Sequence, residues 1–261
     1  MNGFLASLWA EILKIRKSAI LWVTLGVSLF AVIMLGFMMF ILKDPDFARK
    51  YGLIGTKAAI LGGQADWPSY YTMLIQITGV LGLLVYGFIA SWIFGREYSD
   101  HTIKDLLALP VSRSTIVLSK IAAMTLWCAV ISSLIFPIWL LEGYLLVLPG
   151  WDPSVLGSWI SGYALASPML ILLGVPVAFV ASFGRGYLAP LGYVILTIAL
   201  SQVFAILGHG EFVPWAIPLF ALASANPGQA QLGAASYVIY TVTVAAGFLG
   251  TLAWWRYADQ K

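Results

Sequence analysis

Charge interrupts this chain rarely, and the spacing of the interruptions outlines the fold. Uncharged stretches cover residues 19–42, 67–95, 121–141, 153–184, 186–210 and 212–255, with lengths of 24, 29, 21, 32, 25 and 44. About 20 residues of helix cross a hydrocarbon core of about 30 Å, so each of the first five allows one crossing. The sixth is long enough for two. Pro214, Pro218 and the run Asn226, Pro227, Gly228, Gln229 divide it, leaving 212–223 as a piece of 12 residues. Apolar pieces of that size do not span; they re-enter or lie at the interface. The pattern predicts an all-α polytopic membrane protein, one membrane domain over 1–261. Its six transmembrane helices fall at about 19–42, 69–94, 115–141, 157–183, 187–207 and 232–255, with a re-entrant segment before the sixth.

Ahead of the first span, Phe4, Leu5, Leu8, Trp9, Ile12, Leu13 and Ile15 fall on one half of a helical wheel. Ser7, Ala10, Glu11, Lys14 and Lys17 fill the other, with Arg16 intruding on the apolar half. That is an amphipathic helix in the membrane interface, its polar half toward water. The apolar run that follows is too long for a secretory signal, so the first span is retained. Pro168 and Pro176 in the fourth span and Pro190 in the fifth are positioned to break their helices. Lys120 and Glu142 bracket the third span about 33 Å apart along a helix, so both are expected to reach water by snorkelling.

Composition settles the class. Hydrophobic residues make up 61% and charged residues 10% of the chain, and mean hydropathy is +0.93. A soluble domain needs roughly 25% charged residues to solvate its surface. The net charge of +3 is therefore a topology signal, not a nucleic-acid-binding arm. Lys14, Arg16, Lys17, Arg96, Lys104, Arg113, Lys120, Arg185, Arg256 and Lys261 group with the termini, whereas Lys43, Arg49, Lys50 and Lys57 lie opposite. The positive-inside rule then puts both termini in the cytoplasm. The lone cysteine, Cys128, excludes an internal disulfide.

Chemistry is scarce. His101 and His209 fall on opposite membrane faces and cannot share a metal or a proton-transfer role. No phosphate-binding G-x-x-x-x-G-K-[ST], nucleophile elbow or His-Glu helix pair is present. A proton- or ion-driven secondary transporter is the rival reading, but it needs buried carboxylates that the spans lack.

The informative loop is 94–120. Ser99 or Asp100 can cap a helix over 99–109 that Pro110 stops, and Ser112 or Ser114 can cap the next. Ile103, Leu106 and Leu107 line one face; Asp100, His101, Lys104 and Asp105 line another. Mixed charge beside an apolar face suits a protein partner better than a lipid surface. The pattern Glu97, Thr102-x-Lys104-x-Leu106-Leu107, Leu109-Pro110-x-Ser112-Arg113 and Lys120 resembles the permeases of type 2 ABC exporters, nearest to the bacitracin-exporter and lantibiotic-immunity permeases. Where that family often has glycine before the threonine, this chain has His101.

The resemblance implies an interfacial N-terminal helix, a coupling helix after the second span and a re-entrant hairpin before the sixth. It implies an ATP-driven pump in a bacterial plasma membrane, built from two permease copies and two separate ATPase subunits. ATP and Mg2+ would sit on the partner, with no cofactor on this chain. The cargo expected by analogy is an amphiphilic peptide antibiotic or a lipid-like compound. Glu97, Asp100, Thr102, Ile103, Lys104, Leu106 and Leu107 are the expected ATPase-docking residues. The resemblance also sets the second and fifth spans at the interface between copies. There Thr72 and Gln76, with Gly79 and Tyr86, face Tyr193, Thr197, Ser201 and the adjacent Gln202 as an expected substrate path. Gln76 and Gln202 fall at matching depth, roughly 8–9 Å inside the outer boundary. Pro214 and Pro218 would shape the outer gate above them.

Overall fold

The computed structural model describes residues 3–52, 64–224 and 232–258, and every regular element among them is helical. Six helices are long and apolar enough to cross a membrane: Ala19–Lys43, Trp67–Ser99, Arg113–Leu145, Pro153–Phe183, Leu188–Ile206 and Ala234–Tyr257. They match the six expected crossings, most of them longer at one or both ends. The N-terminal helix Gly3–Arg16 precedes them. A short helix Pro45–Lys50 follows the first span, and the predicted hairpin contains the helix Ile217–Ala223. The Asn226–Gln229 stretch lies outside the described residues.

Local chemistry sets the ends. Asp66, Ser112 and Asp152 cap the second, third and fourth spans, accepting backbone N–H bonds from Ser69 (2.8 Å), Thr115 (3.1 Å) and Ser154 (2.8 Å). Each satisfies a donor that the first helical turn leaves unpaired. Four spans end on the same C-terminal arrangement, in which the N–H two residues past the cap reaches five residues back. These bonds are Thr102 N to Glu97 O, Leu148 N to Gly143 O, Gly186 N to Ala181 O and His209 N to Phe204 O. The residue before each donor must take a left-handed backbone. Only Gly208 (φ 78°) is a glycine; His101 (φ 57°), Val147 (φ 50°) and Arg185 (φ 52°) hold that conformation with a side chain.

The proline expectations divide. Pro176 breaks the fourth span: the helix stops at Leu172 and restarts at Gly174. Residue 172 is four before the proline, where its ring meets the preceding turn's carbonyl. Pro168 does not break its helix, and Pro190 sits in the first turn of the fifth span, where an amide hydrogen is dispensable. The second span carries a break that the sequence did not announce, a π-helical turn at Thr78–Gly82.

Two buried clusters hold the bundle. The larger, nearer the termini, joins the second, third, fourth and sixth spans around Ile89, Phe94, Val117, Met124, Ala178 and Trp255. The other is aromatic: Tyr71 stacks on Trp159 (4.7 Å between centroids) and Tyr70 on Trp139 (5.0 Å), with Trp67 packed edge-on to Trp139 (5.6 Å). Lipid is as apolar as leucine, so this close packing, not hydrophobic expulsion, is what favours helix association. The fifth and sixth spans are the least covered, leaving Ile195, Leu196, Val203, Val238, Val242 and Leu249 exposed on the bundle surface.

The N-terminal helix departs from the expected orientation. Leu5, Trp9 and Leu13 face outward, but Ser7 and Glu11 face the third span instead of water, with Ser7 Oγ 2.7 Å from Ser119 Oγ. Their polar groups are matched inside the protein, which removes the need for solvent.

Candidate functional site

At the end of the bundle that holds both termini, four ionic side chains from three segments meet. Glu97 ends the second span, Lys120 begins the third, and Glu11 and Lys14 come from the N-terminal helix. Glu97 Oε1 accepts from Lys14 Nζ (2.7 Å) and Lys120 Nζ (3.0 Å), while its Oε2 accepts from Thr102 Oγ1 (2.7 Å). Glu11 Oε1 accepts from Lys14 Nζ (2.8 Å) and lies 3.2 Å from Lys120 Nζ. Lys120 also donates to the Ile93 carbonyl at 3.0 Å. Lys120 is 0% and Glu97 5% exposed, so neither reaches water. The snorkelling expected of Lys120 does not occur, because two carboxylates and a carbonyl supply what water would have supplied.

The cluster is neutral, two acids against two bases. Each buried ion costs several kcal/mol to desolvate, so the cluster's value lies in register more than in net stability. It fixes the N-terminal helix to the second and third spans at one point. The Lys14 ammonium is held above its ordinary value: burial pulls it down, but the Glu11 and Glu97 carboxylates outweigh that pull. Sequence reasoning placed Glu97 in a docking face and Glu11 toward water. The available signal was the pairing of opposite charges at the boundaries of apolar runs.

The loop after the second span is shorter in helix than predicted. Only Ile103–Leu107 is helical, and its cap position is Thr102, not Ser99 or Asp100. Asp100 instead accepts from Arg96 Nε at 3.0 Å. The expected docking set divides by direction. Glu97 and Ile103 are buried, Thr102 is half-buried with its hydroxyl spent on Glu97, and Leu106 and Leu107 pack half-buried on the permease's own core. These five do not form the outward face. Asp100, His101, Lys104, Asp105 and Leu109 do, Leu109 being 52% exposed. Tyr98, His101, Lys104 and Arg185 border a hollow of about 380 Å³ beside them. Arg113 donates to the carbonyls of Trp255 (3.2 Å) and Arg256 (3.4 Å), tying the same loop to the end of the sixth span.

The expected path residues are also divided. Thr72, Gln76 and Gln202 are exposed on the outside of the bundle, and neither amide has a hydrogen-bond partner among the described residues. Thr197 and Ser201 are buried, each hydroxyl bonded to its own helix at Val194 O (2.9 Å) and Thr197 O (2.7 Å). Tyr193 is half-buried, its ring 5.6 Å from that of Trp215. A helix cannot present 193, 197 and 201 inward and 202 on the same face, because one residue turns it by about 100°. Beyond the second span, Pro218 is buried in the first turn of Ile217–Ala223 and Pro214 is half-buried before it. Tyr71 Oη donates to Leu222 O (3.1 Å), anchoring that helix against the second span. No group of three or more His, Cys, Asp or Glu side chains converges among the described residues where a metal could bind.

Glu142, expected at the water interface of the far end, is half-exposed there. Its Oε2 accepts from Tyr70 Oη at 2.6 Å, and its carboxyl occupies the space that a side chain at Gly36 would fill.

Residues 7–208 match the sequence profile of the ABC-2 family transporter proteins. The chain is also similar to the bacitracin transport permease protein BCRB of Bacillus licheniformis: 26% identical over 188 residues, covering 71% of this chain and 88% of the relative. A six-span helical bundle, a short amphipathic loop after the second span and a family match over most of its length agree, and the chain belongs to the ABC-2 family of ABC transporter permeases.

Proposed function

We propose that this ABC transporter permease works as the membrane half of an ATP-driven exporter. Two copies pair with two separate ATPase subunits and move an amphiphilic cargo, a peptide antibiotic or a lipid-like compound, out of the cell. The observation that carries the reading is the outward face of the loop after the second span, with Lys104, Asp105 and the exposed Leu109. That face is wired to the bundle through Thr102 and Glu97. A force applied at Lys104 reaches the second span, the third span and the N-terminal helix through one carboxylate. The termini and this loop belong in the cytoplasm of a bacterial plasma membrane, which the ten basic residues grouped with them support. The similarity to a bacitracin transport permease supports the cargo class.

Co-expression with a candidate ABC ATPase from the same genome, purification, and transport into inverted vesicles test the proposal. ATP should drive uptake of a labelled peptide antibiotic, and a proton or sodium gradient alone should not. Gradient-driven uptake with no ATP requirement would establish the secondary-transporter alternative instead.

A further inference from the structure

A second polar feature lies at the same end of the bundle, on the outer side of the charge cluster. The N-terminal helix, the end of the second span and the turn after the fourth enclose an open groove of about 580 Å³. Lys14, Lys17, Ser18, Trp92, Arg96 and Tyr187 are among its walls. Its cations differ in availability. Lys14 is committed to Glu11 and Glu97. Lys17 is exposed and has no ion pair among the described residues. Arg96 is oriented from two sides: its Nε donates to Asp100 at 3.0 Å, and its guanidinium lies 5.0 Å from the centre of the Trp92 ring. Asp100, the one acid on the rim, uses only one edge of that guanidinium, and the two terminal nitrogens are left for a ligand.

The groove also has an apolar approach. Leu13 lines it, and Leu5 and Trp9 continue from Leu13 along one stripe of the helix, all three exposed. A fixed guanidinium, an exposed ammonium and an aromatic ring at the end of a membrane span, entered along an exposed apolar stripe, match a phosphate that carries acyl chains. A soluble anion would gain nothing from the stripe, and an uncharged lipid nothing from the cations.

We propose that this groove binds the phosphate headgroup of an anionic phospholipid from the leaflet on the terminal side, with Lys17 and Arg96 on the phosphate and the acyl chains along Leu13, Trp9 and Leu5. The occupant seats the N-terminal helix against the second span from outside, as the buried cluster does from inside. The site depends on neither the cargo nor the ATPase.

The test uses the full chain in phosphatidylcholine nanodiscs, titrated with phosphatidylglycerol and read by native mass spectrometry and by melting temperature. One phosphatidylglycerol should be retained per permease. Lys17→Gln with Arg96→Gln should weaken retention about thirtyfold, two basic contacts' worth at a membrane surface. Lys17→Gln alone changes an exposed side chain and should weaken it about fivefold with the unliganded melting temperature unchanged. Arg16→Gln, on the same helix but outside the groove, should change nothing. Equal retention by the double variant overturns the proposal, as does an equal loss in Arg16→Gln, which would mark diffuse surface charge. Displacement by glycerol phosphate at concentrations equal to the lipid would also overturn it, marking a soluble phosphate site.

Discussion

Leu219, on the short helix before the sixth span, fills a notch left by Gly79 in the second span; a Cβ on residue 79 would overlap its side chain. Gly79 belongs to the π-helical turn Thr78–Gly82, so the helix before the sixth span rests on the one irregular turn of the second. The neighbouring Thr78 is 8% exposed, its hydroxyl is buried without a hydrogen-bond partner among the described residues, and it lines a crevice of about 40 Å³ with Ser28, Tyr86 and Tyr163. π-turns of this kind recur at functional sites because they loosen a helix locally without ending it. A change of pitch at Thr78–Gly82 would lift or seat Leu219, which gives movement at the terminal end a route to the far end.

Gly79→Ala should therefore displace Leu219 and cost about 1–3 kcal/mol, the usual penalty for overpacking. Pairing it with Leu219→Ala removes the overlap and should recover most of the loss. Melting temperatures of the single and double variants in detergent check this; additive losses would mean that the two residues do not share the notch.

The charge cluster predicts a different kind of compensation. Lys120→Met leaves Glu11 and Glu97 facing each other with only Lys14 between them, and should cost about 3 kcal/mol. Adding Glu11→Gln restores neutrality and should recover at least half of that loss in a double-mutant cycle. Thermal unfolding followed by size-exclusion fluorescence reads both. The sign of the pH dependence follows from Lys14, whose pKa is raised in the folded protein. Its share of the stability is fully present below the ordinary lysine value of about 10.4 and is lost only as pH climbs through the raised one. Between pH 6 and 9 its contribution should stay flat.

The coupling face separates docking from folding. Lys104→Glu with Leu109→Asp alters exposed positions only, so it should abolish co-purification of the ATPase and leave folding stability within about 1 kcal/mol of wild type. Leu106→Asp with Leu107→Asp buries charge against the permease's own core and should lower the melting temperature by itself. A double Leu106/Leu107 variant that folds normally but loses the ATPase would return those leucines to the interface.

Spans were legible because hydrocarbon imposes a length, and charge marks where each length ends. The loop motif was legible as a pattern, and even its anomaly had meaning. His101 stands where the family often has glycine, and the backbone there is left-handed at φ 57°. Direction was not legible. Ile103, Leu106 and Leu107 form an apolar face on any wheel, but whether it meets a partner or the chain's own core depends on how the second and third spans approach, which is tertiary information. Lys120 and Glu11 failed for a related reason: a charge flanking a span looks solvated until its distant partners are brought beside it, Glu97 for Lys120 (23 residues away) and Lys120 for Glu11 (109 residues away). The break at Leu173 was half legible, since a proline's effect falls four residues before it and the sequence could not say which proline would act. The π-turn had no signal.

Gln76 and Gln202 carry the last prediction. Both are exposed on spans that the proposed dimer would bring together, and neither amide has a hydrogen-bond partner among the described residues. An unpaired amide in hydrocarbon costs roughly 4–8 kcal/mol, so an isolated, lipid-facing glutamine on each of two spans needs a compensating gain. Water or cargo in a cavity shared by two copies supplies it, as does a hydrogen bond across the dimer. The two differ in outcome. Gln76→Leu with Gln202→Leu should leave the amount of assembled complex unchanged and cut cargo-stimulated ATP hydrolysis at least tenfold if the amides line the path. If they hold the copies together, dimer recovery in size exclusion falls first and the hydrolysis that remains per dimer is normal. Thr197→Val should leave both readings near wild type, because its hydroxyl is buried and already bonded to Val194 O in its own helix. Normal assembly and normal stimulation in the double glutamine variant would remove both residues from the path.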